Sequence, residues 1–283
     1  MATRQEIKQR IKSVTSTKKI TNAMHLVAAS KLKRAQEAAT GPSDYVEVAT
    51  SILSRLASNP AASYSPLFIA NPVTKPSLVI AITSDRGLAG AYNSNINRQL
   101  TKLTLASGSE LKVIAVGKYA SKHAARIKLI DEIAYFELDS DRPLEETVQA
   151  ILRKATELYT AGEVSSVELL YTDFISIVSQ EVKLTKILPI QPMSSTMSVS
   201  TNEPDDIELI NYASQRYMES QIMTAILESK ASEQAARMVA MKNATDNASD
   251  LIEDFTLAYN NARQAAITQE LAEISAGAEA ING

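Results

Sequence analysis

Few residues in this 283-residue chain have the type and spacing that chemistry requires. Cysteine is absent, which excludes disulfides, thiolate nucleophiles and thiolate metal sites. The two histidines, His25 and His123, lie too far apart in sequence to suggest a metal cluster, so no metal and no cofactor is expected. The run Ser84-Asp85-Arg86-Gly87-Leu88-Ala89-Gly90-Ala91 follows an apolar strand pattern and opens a helical one, the position of a phosphate-cradling turn. It lacks both the three-glycine dinucleotide spacing and the lysine of a phosphate loop, so it reads as a structural turn or a partner-facing loop. Any nucleotide site is expected in another subunit. Asp205, Asp206 and Glu208 mark the start of a helix, where acidic residues suit the helix dipole without any metal. Lys8, Arg10, Lys12, Lys18, Lys19, Lys31, Lys33 and Arg34 make a basic helix without aromatic residues for stacking, and nucleic acid is not expected.

The C-terminal stretch carries a different pattern. Ile267, Leu271, Ile274 and Ala278 recur at helical spacing on one face, and Arg263, Gln264, Thr268 and Glu270 supply polar groups around the same rod. An apolar rod end below a collar of hydrogen-bonding groups suits a shaft tip seated in a bearing.

The elements that must carry these residues follow from the breakers of regular structure. Residues 1–40 contain neither glycine nor proline, the first break being Gly41-Pro42, and none occurs from Asp205 through Ala276. At ~1.5 Å per residue these stretches make helices of roughly 60 Å and 105 Å, too long for a compact domain. Their apolar seams run Ile7, Ile11, Val14, Thr21, Ala28, Leu32, Ala35, interrupted by Lys18 and His25, and Met241, Ala244, Ala248, Leu251, Phe255, Ala258, Ala262, Ala265. Residues 1–40 hold nine Lys/Arg against Glu6 and Glu37, whereas residues 205–283 hold five Lys/Arg against thirteen Asp/Glu, so the two ends should attract. The pattern predicts an antiparallel coiled coil of the termini, the longer C-terminal helix extending past the tip or alongside the middle domain.

In the middle, Leu78–Ile82, Val113–Val116 and Val167–Tyr171 are apolar runs suited to strands buried on both faces, and helical stretches fall near 91–105, 118–126 and 143–160. Residues 181–188 read as an added edge strand. The class is therefore α/β: long N- and C-terminal helices in a coiled coil plus a central Rossmann-like domain with a largely parallel sheet. The divisions are an N-terminal shaft helix at 1–58, the domain at 75–195 and a C-terminal helix at 205–283 pairing with the first, with joints at Asn59–Pro76 and Met193–Pro204. No apolar run is long enough to span a membrane, and the opening residues do not form a signal peptide, so the chain is expected to fold in the cytoplasm.

Four blocks resemble the gamma subunit of the F-type ATP synthase: Lys19–Met24 with Val27–Lys31, Thr83–Leu88, Ala235–Asn247, and Ile267–Glu270 with Glu273 and Gly277-Ala278. The resemblance implies a non-catalytic rotor shaft turning inside three alpha and three beta subunits, its domain docked with the epsilon subunit on a ring of c subunits. Ion flow would turn ring and shaft, and ATP hydrolysis would reverse them and pump protons. It implies further that Arg263, Gln264, Thr268 and Glu270 meet beta-subunit loops, that Met24 and Arg237 sit near the turning interface, and that Arg86 is a second contact with beta. The absence of cysteine departs from the chloroplast pattern and its thiol switch. The opening residues favour the cytoplasmic face of a bacterial membrane over a processed mitochondrial form on the matrix side of the inner membrane. A purely structural coiled-coil adaptor and an α/β enzyme with helical extensions are the competing readings.

Overall fold

In the computed structural model the described residues are 3–56, 62, 64–108, 110–139, 142–191 and 206–282, without side chains at 39–52, 54–56, 206 and 278–282. The elements are α1 (Arg4–Leu56), β1 (Leu78–Ile82), α2 (Tyr92–Ser107), β2 (Leu111–Val116), α3 (Lys118–Ala124), β3 (Ile130–Phe136), α4 (Leu144–Thr160), β4 (Val167–Phe174), β5 (Gln180–Leu188) and α5 (Asp206–Asn282). They divide into two compact units, one of Met1–Val27 with Met238–Gly283, the other of Ala28–Arg237.

The larger unit is organised by a five-stranded sheet in the order β3-β2-β1-β4-β5. The first four strands are parallel, and β5 joins antiparallel to β4 as the edge. All five residues of β1 are buried, as its unbroken apolar run requires of a central parallel strand. One face packs Leu78, Ile80, Ile82, Ile114, Leu169 and Tyr171 against α4 through Val148, Ile151, Leu152 and Ala155, and against α5 through Met218, Ile222, Ala225 and Ile226. The other packs Val79, Ala81, Val113 and Ala115 against Ile96 and Leu100 of α2 and Ala120 and Ala124 of α3. Each fully buried Ile or Leu in these layers stabilises the fold by roughly 1.5–3 kcal/mol relative to exposure. Helix α4 ends where Gly162 adopts φ +69, its N–H bonded to the Tyr159 carbonyl at 3.0 Å, with the Glu163 N–H reaching Leu158 O at 3.1 Å.

Three findings add to these expectations. Helix α1 passes through Gly41 and Pro42, read as the first break, to Leu56. A proline inside a helix removes one hydrogen bond at a cost of about 3 kcal/mol, which a helix with turns on both sides bears as a local loss. The sheet gains β3, which sequence reasoning leaves out because Asp131 and Glu132 interrupt its apolar pattern and most of it is half-buried at an edge. The described part of the first joint is fastened: the Asn71 amide donates to the carbonyls of Tyr159 and Val164 at 2.8 and 2.9 Å, and the Tyr159 hydroxyl donates to Ile69 O at 2.7 Å. The joint read at Met193–Pro204 lies outside the described residues.

The smaller unit is the antiparallel coiled coil of α1 and α5. On α1 its seam runs through buried Ile7 and Thr21, with Ile11, Val14, Lys18 and His25 half-buried between them. On α5 the seam passes through buried Met241 and Ala248, then half-buried Ile252, Phe255, Tyr259, Ala262 and Ala266. Leu251, expected in the seam, is 46% exposed, and the seam likewise uses Tyr259 and Ala266 in place of Ala258 and Ala265. The alternating steps of 4 and 3 that keep a 3.5-residue repeat facing its partner place these residues inward. The Thr245 hydroxyl reaches that of Thr21 at 2.7 Å across the pair. Among the described residues of this unit no ion pair joins the two helices, so the opposite charges of the ends act as a diffuse field and the seam makes the contact.

Candidate functional site

The turn after β1 is closed on itself. The Ser84 N–H donates to Asn93 Oδ1 at 3.0 Å, and the Ser84 hydroxyl donates to the Arg86 carbonyl at 2.6 Å. Asp85 accepts from the Lys118 N–H at 2.9 Å and from the N–H groups of Leu138 and Asp139 at 2.7 and 2.8 Å, tying the turn to the start of α3 and the end of β3. Beneath it Gly117, with φ +88, passes so close to Thr83 that a Cβ there would lie 2.2 Å from the Thr83 carbonyl oxygen. What faces outward is Arg86, paired with Asp139 at 2.8 Å with its side chain 72% exposed, and Leu88, held at φ 61.

In a sheet of this order the ligand crevice lies beyond the carboxyl ends of the strands, where the connections diverge to either side of β1. Here that position is filled by α5. Pairing of β1 with β4 stops at Ala81 and Leu170, so β4 runs on without a strand on that side. Two buried serines of α5 take the strand's place: the Thr172 N–H donates to Ser229 Oγ and the Ser232 hydroxyl donates to the Thr172 carbonyl, both at 3.2 Å. One turn on, Arg237 pairs with Glu233 at 2.6 Å and donates to the carbonyls of Arg86 and Gly87 at 3.4 and 3.2 Å. Burial raises the Glu233 carboxyl above its ordinary value, and the Arg237 guanidinium opposes that rise. Tyr92, at the start of α2, is enclosed by the same group, and burial pushes its phenol far up, with Glu233 adding to the effect. Arg237 is thus 8% exposed and turned into its own chain, where it anchors the loop that carries Arg86.

Beside this clasp, Glu228 of α5 faces Asp173 and Tyr171 of β4 and Lys183 of β5. Its Oε2 is buried and meets no hydrogen-bond donor. Burial first, and Asp173 second, push the Glu228 carboxyl up to about 7. Lys183 lies 3.5 Å from Asp173. Neither the serine clasp nor this cluster is visible to sequence reasoning, because Ser229, Ser232, Glu228 and Glu233 look like ordinary polar residues of a long helix. Their signal is only that they fall on the face that also presents Ile222, Ala225 and Ile226.

The collar residues Arg263, Gln264, Thr268 and Glu270 are exposed, and among the described residues none of the four side chains has a hydrogen-bond or ion-pair partner. Ile267, Leu271 and Ile274 are 48, 61 and 69% exposed. The side chain of Ala278 lies outside the described residues. Met24 is half-buried on α1. The structure therefore brings Arg86 and Arg237 together within the larger unit and leaves the C-terminal set open to a partner.

A Rossmann-type sheet whose ligand position is occupied by its own terminal helix, together with a coiled coil of the two chain ends, defines a helical-shaft α/β protein. Residues 3–281 match the ATP synthase family model. The chain is 38% identical over 275 residues to the ATP synthase gamma chain of Clostridium botulinum, with 97% of each covered, and 39% identical over 282 residues to that of Desulfitobacterium hafniense, covering 99% of this chain and all of the relative. Among solved structures, a chain from the central stalk and c-ring of the Tetrahymena thermophila mitochondrial ATP synthase aligns with a TM-score of 0.59 at 28% identity, covering 80% of this chain and 99% of the other. The chain belongs to the ATP synthase gamma chain family. Gamma chains are subunits of the ATP synthase complex, and this one serves ATP synthesis as part of it rather than as a catalyst by itself.

Proposed function

We propose that this chain is the central rotor shaft of an F-type ATP synthase, turning inside a ring of three alpha and three beta subunits, with its α/β domain docked to epsilon and the c-ring. An asymmetric shaft presents a different face to each beta subunit, so rotation becomes differential affinity for ADP, phosphate and ATP. The observation that carries this reading is the full-length likeness to gamma chains combined with a C-terminal segment in which Ile267, Leu271 and Ile274 are exposed and, among the described residues, the side chains of Arg263, Gln264, Thr268 and Glu270 have no partner. In this role Arg263, Gln264, Thr268 and Glu270 bond beta-subunit loops, Ile267, Leu271, Ile274 and Ala278 seat the tip, and Met24 lies at the turning interface. Arg86 and Leu88 give a second contact with beta, and Arg237 contributes to it by holding their loop in shape. Among the described residues no helix is long and apolar enough to cross a membrane, and the proposed place is peripheral, on the cytoplasmic face of a bacterial membrane. The test mixes the purified chain with alpha and beta subunits and measures ATP hydrolysis beside each component alone. Activity that needs this chain, in a complex holding one copy to three of each partner, supports the shaft; a chain that neither joins nor changes turnover refutes it.

A further inference from the structure

A shaft helix must resist turning about its own axis relative to the domain that drives it, and apolar packing supplies contacts without direction. A hydrogen bond is directional and weakens steeply with misalignment. Polar atoms stand about 4–5 Å from a helix axis, so a twist of about 20° displaces them by about 1.5 Å, enough to break such a bond. Within the larger unit, most of what α5 offers the sheet is apolar: Met218, Ile222, Ala225 and Ile226. The buried serines of this segment are of two kinds. Ser214 and Ser220 turn their hydroxyls back onto their own helix, to the carbonyls of Ile210 and Tyr217. Ser229 accepts from the Thr172 N–H and also bonds the buried Tyr92 hydroxyl of α2, and Ser232 donates to the Thr172 carbonyl, so these bonds fix a single rotational setting of the helix on β4.

We propose that Ser229 and Ser232 are positioning residues for torque, keying α5 to the carboxyl edge of β4 so that the sheet and the helix turn as one body. The clasp rests on the rotor-shaft reading. Its geometry suits the task because the bonds are buried, where water cannot replace them, and because they grip the main chain of β4, which the sheet holds on its other side through β5. The helix occupies a position that related folds use for a ligand, and the edge groups a ligand would otherwise meet are turned into the joint.

The experiment uses the assembled synthase in sealed vesicles, comparing the wild-type chain with Ser229→Ala/Ser232→Ala and with the control Ser214→Ala/Ser220→Ala, which removes two buried hydroxyls from the same helix without touching the sheet. ATP hydrolysis and proton uptake are measured at zero gradient and against increasing opposing gradients. The clasp variant should hydrolyse ATP within about two-fold of wild type and pump normally without load, then lose at least five-fold in protons moved per ATP as the opposing gradient rises. The control should track wild type throughout. A merely structural weakening lowers assembly and both rates alike and yields no load dependence. Should the double variant fail to assemble, Ser232→Ala alone, which leaves the Thr172 N–H bonded, should show the same load dependence with about half the loss. Equal coupling of clasp and control variants under load overturns the proposal while leaving the shaft reading intact. A wild-type chain that does not restore pumping to a complex lacking it overturns both.

Discussion

Replacing Arg237 by methionine keeps the apolar stem and deletes the guanidinium, and its cost follows from what is left behind. The Glu233 and Arg237 side chains are 13 and 10% exposed and 2.6 Å apart, so the pair is nearly out of water. Removing one partner strands a buried carboxylate, which costs about 3–5 kcal/mol, whereas the two bonds to the Arg86 and Gly87 carbonyls contribute about 1 kcal/mol each. The stranded charge therefore dominates. Arg237→Met should destabilise the larger unit by about 3–5 kcal/mol, and Arg237→Met/Glu233→Met, which removes both charges and keeps comparable volume, should recover all but about 1–2 kcal/mol. Urea unfolding of the whole chain, followed by circular dichroism, measures the three stabilities, and hydrogen exchange at residues 84–91 reports the loop. The Glu233 carboxyl, already raised by burial, rises further without the guanidinium that opposed it, so the single variant's deficit should be larger at pH 8 than at pH 5. A single-variant cost below about 0.5 kcal/mol, the range of an ordinary surface change, would show that the guanidinium is solvated and serves only an external partner.

Three further outcomes are expected. Glu228, pushed up to about 7, holds a proton in the folded chain that the unfolded chain loses near its ordinary value, so wild-type stability should fall as pH rises from about 4.5 to 7 and level off above. Glu228→Gln should flatten that slope and exceed wild type at pH 8 by about 1–2 kcal/mol, the full shift being discounted for a half-buried group; a slope unchanged in the variant refutes the assignment. Gly117→Ala must place a methyl against the Thr83 carbonyl at a backbone angle that favours glycine, costing about 2–3 kcal/mol and about 5–10 °C in melting temperature; a melt within 2 °C of wild type would contradict the close approach. Arg263→Ala/Gln264→Ala should leave the isolated chain within about 0.5 kcal/mol of wild type but lower assembly or turnover with alpha and beta subunits several-fold, and normal ATPase activity would remove both residues from the mechanism.

The sequence by itself determined whatever depends on local periodicity. Unbroken β-branched runs mark β1, β2 and β4 because a parallel strand buried on both faces has no polar side to show, and 3-and-4 spacing marks the α1 seam from Ile7 through Ala35 because the helix repeat is set by covalent geometry. The block at Ala235–Asn247 and the C-terminal residues carried the likeness to gamma chains for the same reason: they can be read in order along the chain. Only the tertiary structure decided what depends on which backbone groups lack a partner. Ending β1 pairing at Ala81 leaves Thr172 open, and that gap, created by residues ninety positions away, is what turns Ser229 and Ser232 from surface-like polar residues into a clasp. The same holds for Arg237, whose buried neighbour Glu233 and the loop carbonyls draw it inward. It holds also for Ile252 in place of Leu251, because the choice between adjacent apolar residues is made by the facing helix and not by hydrophobicity.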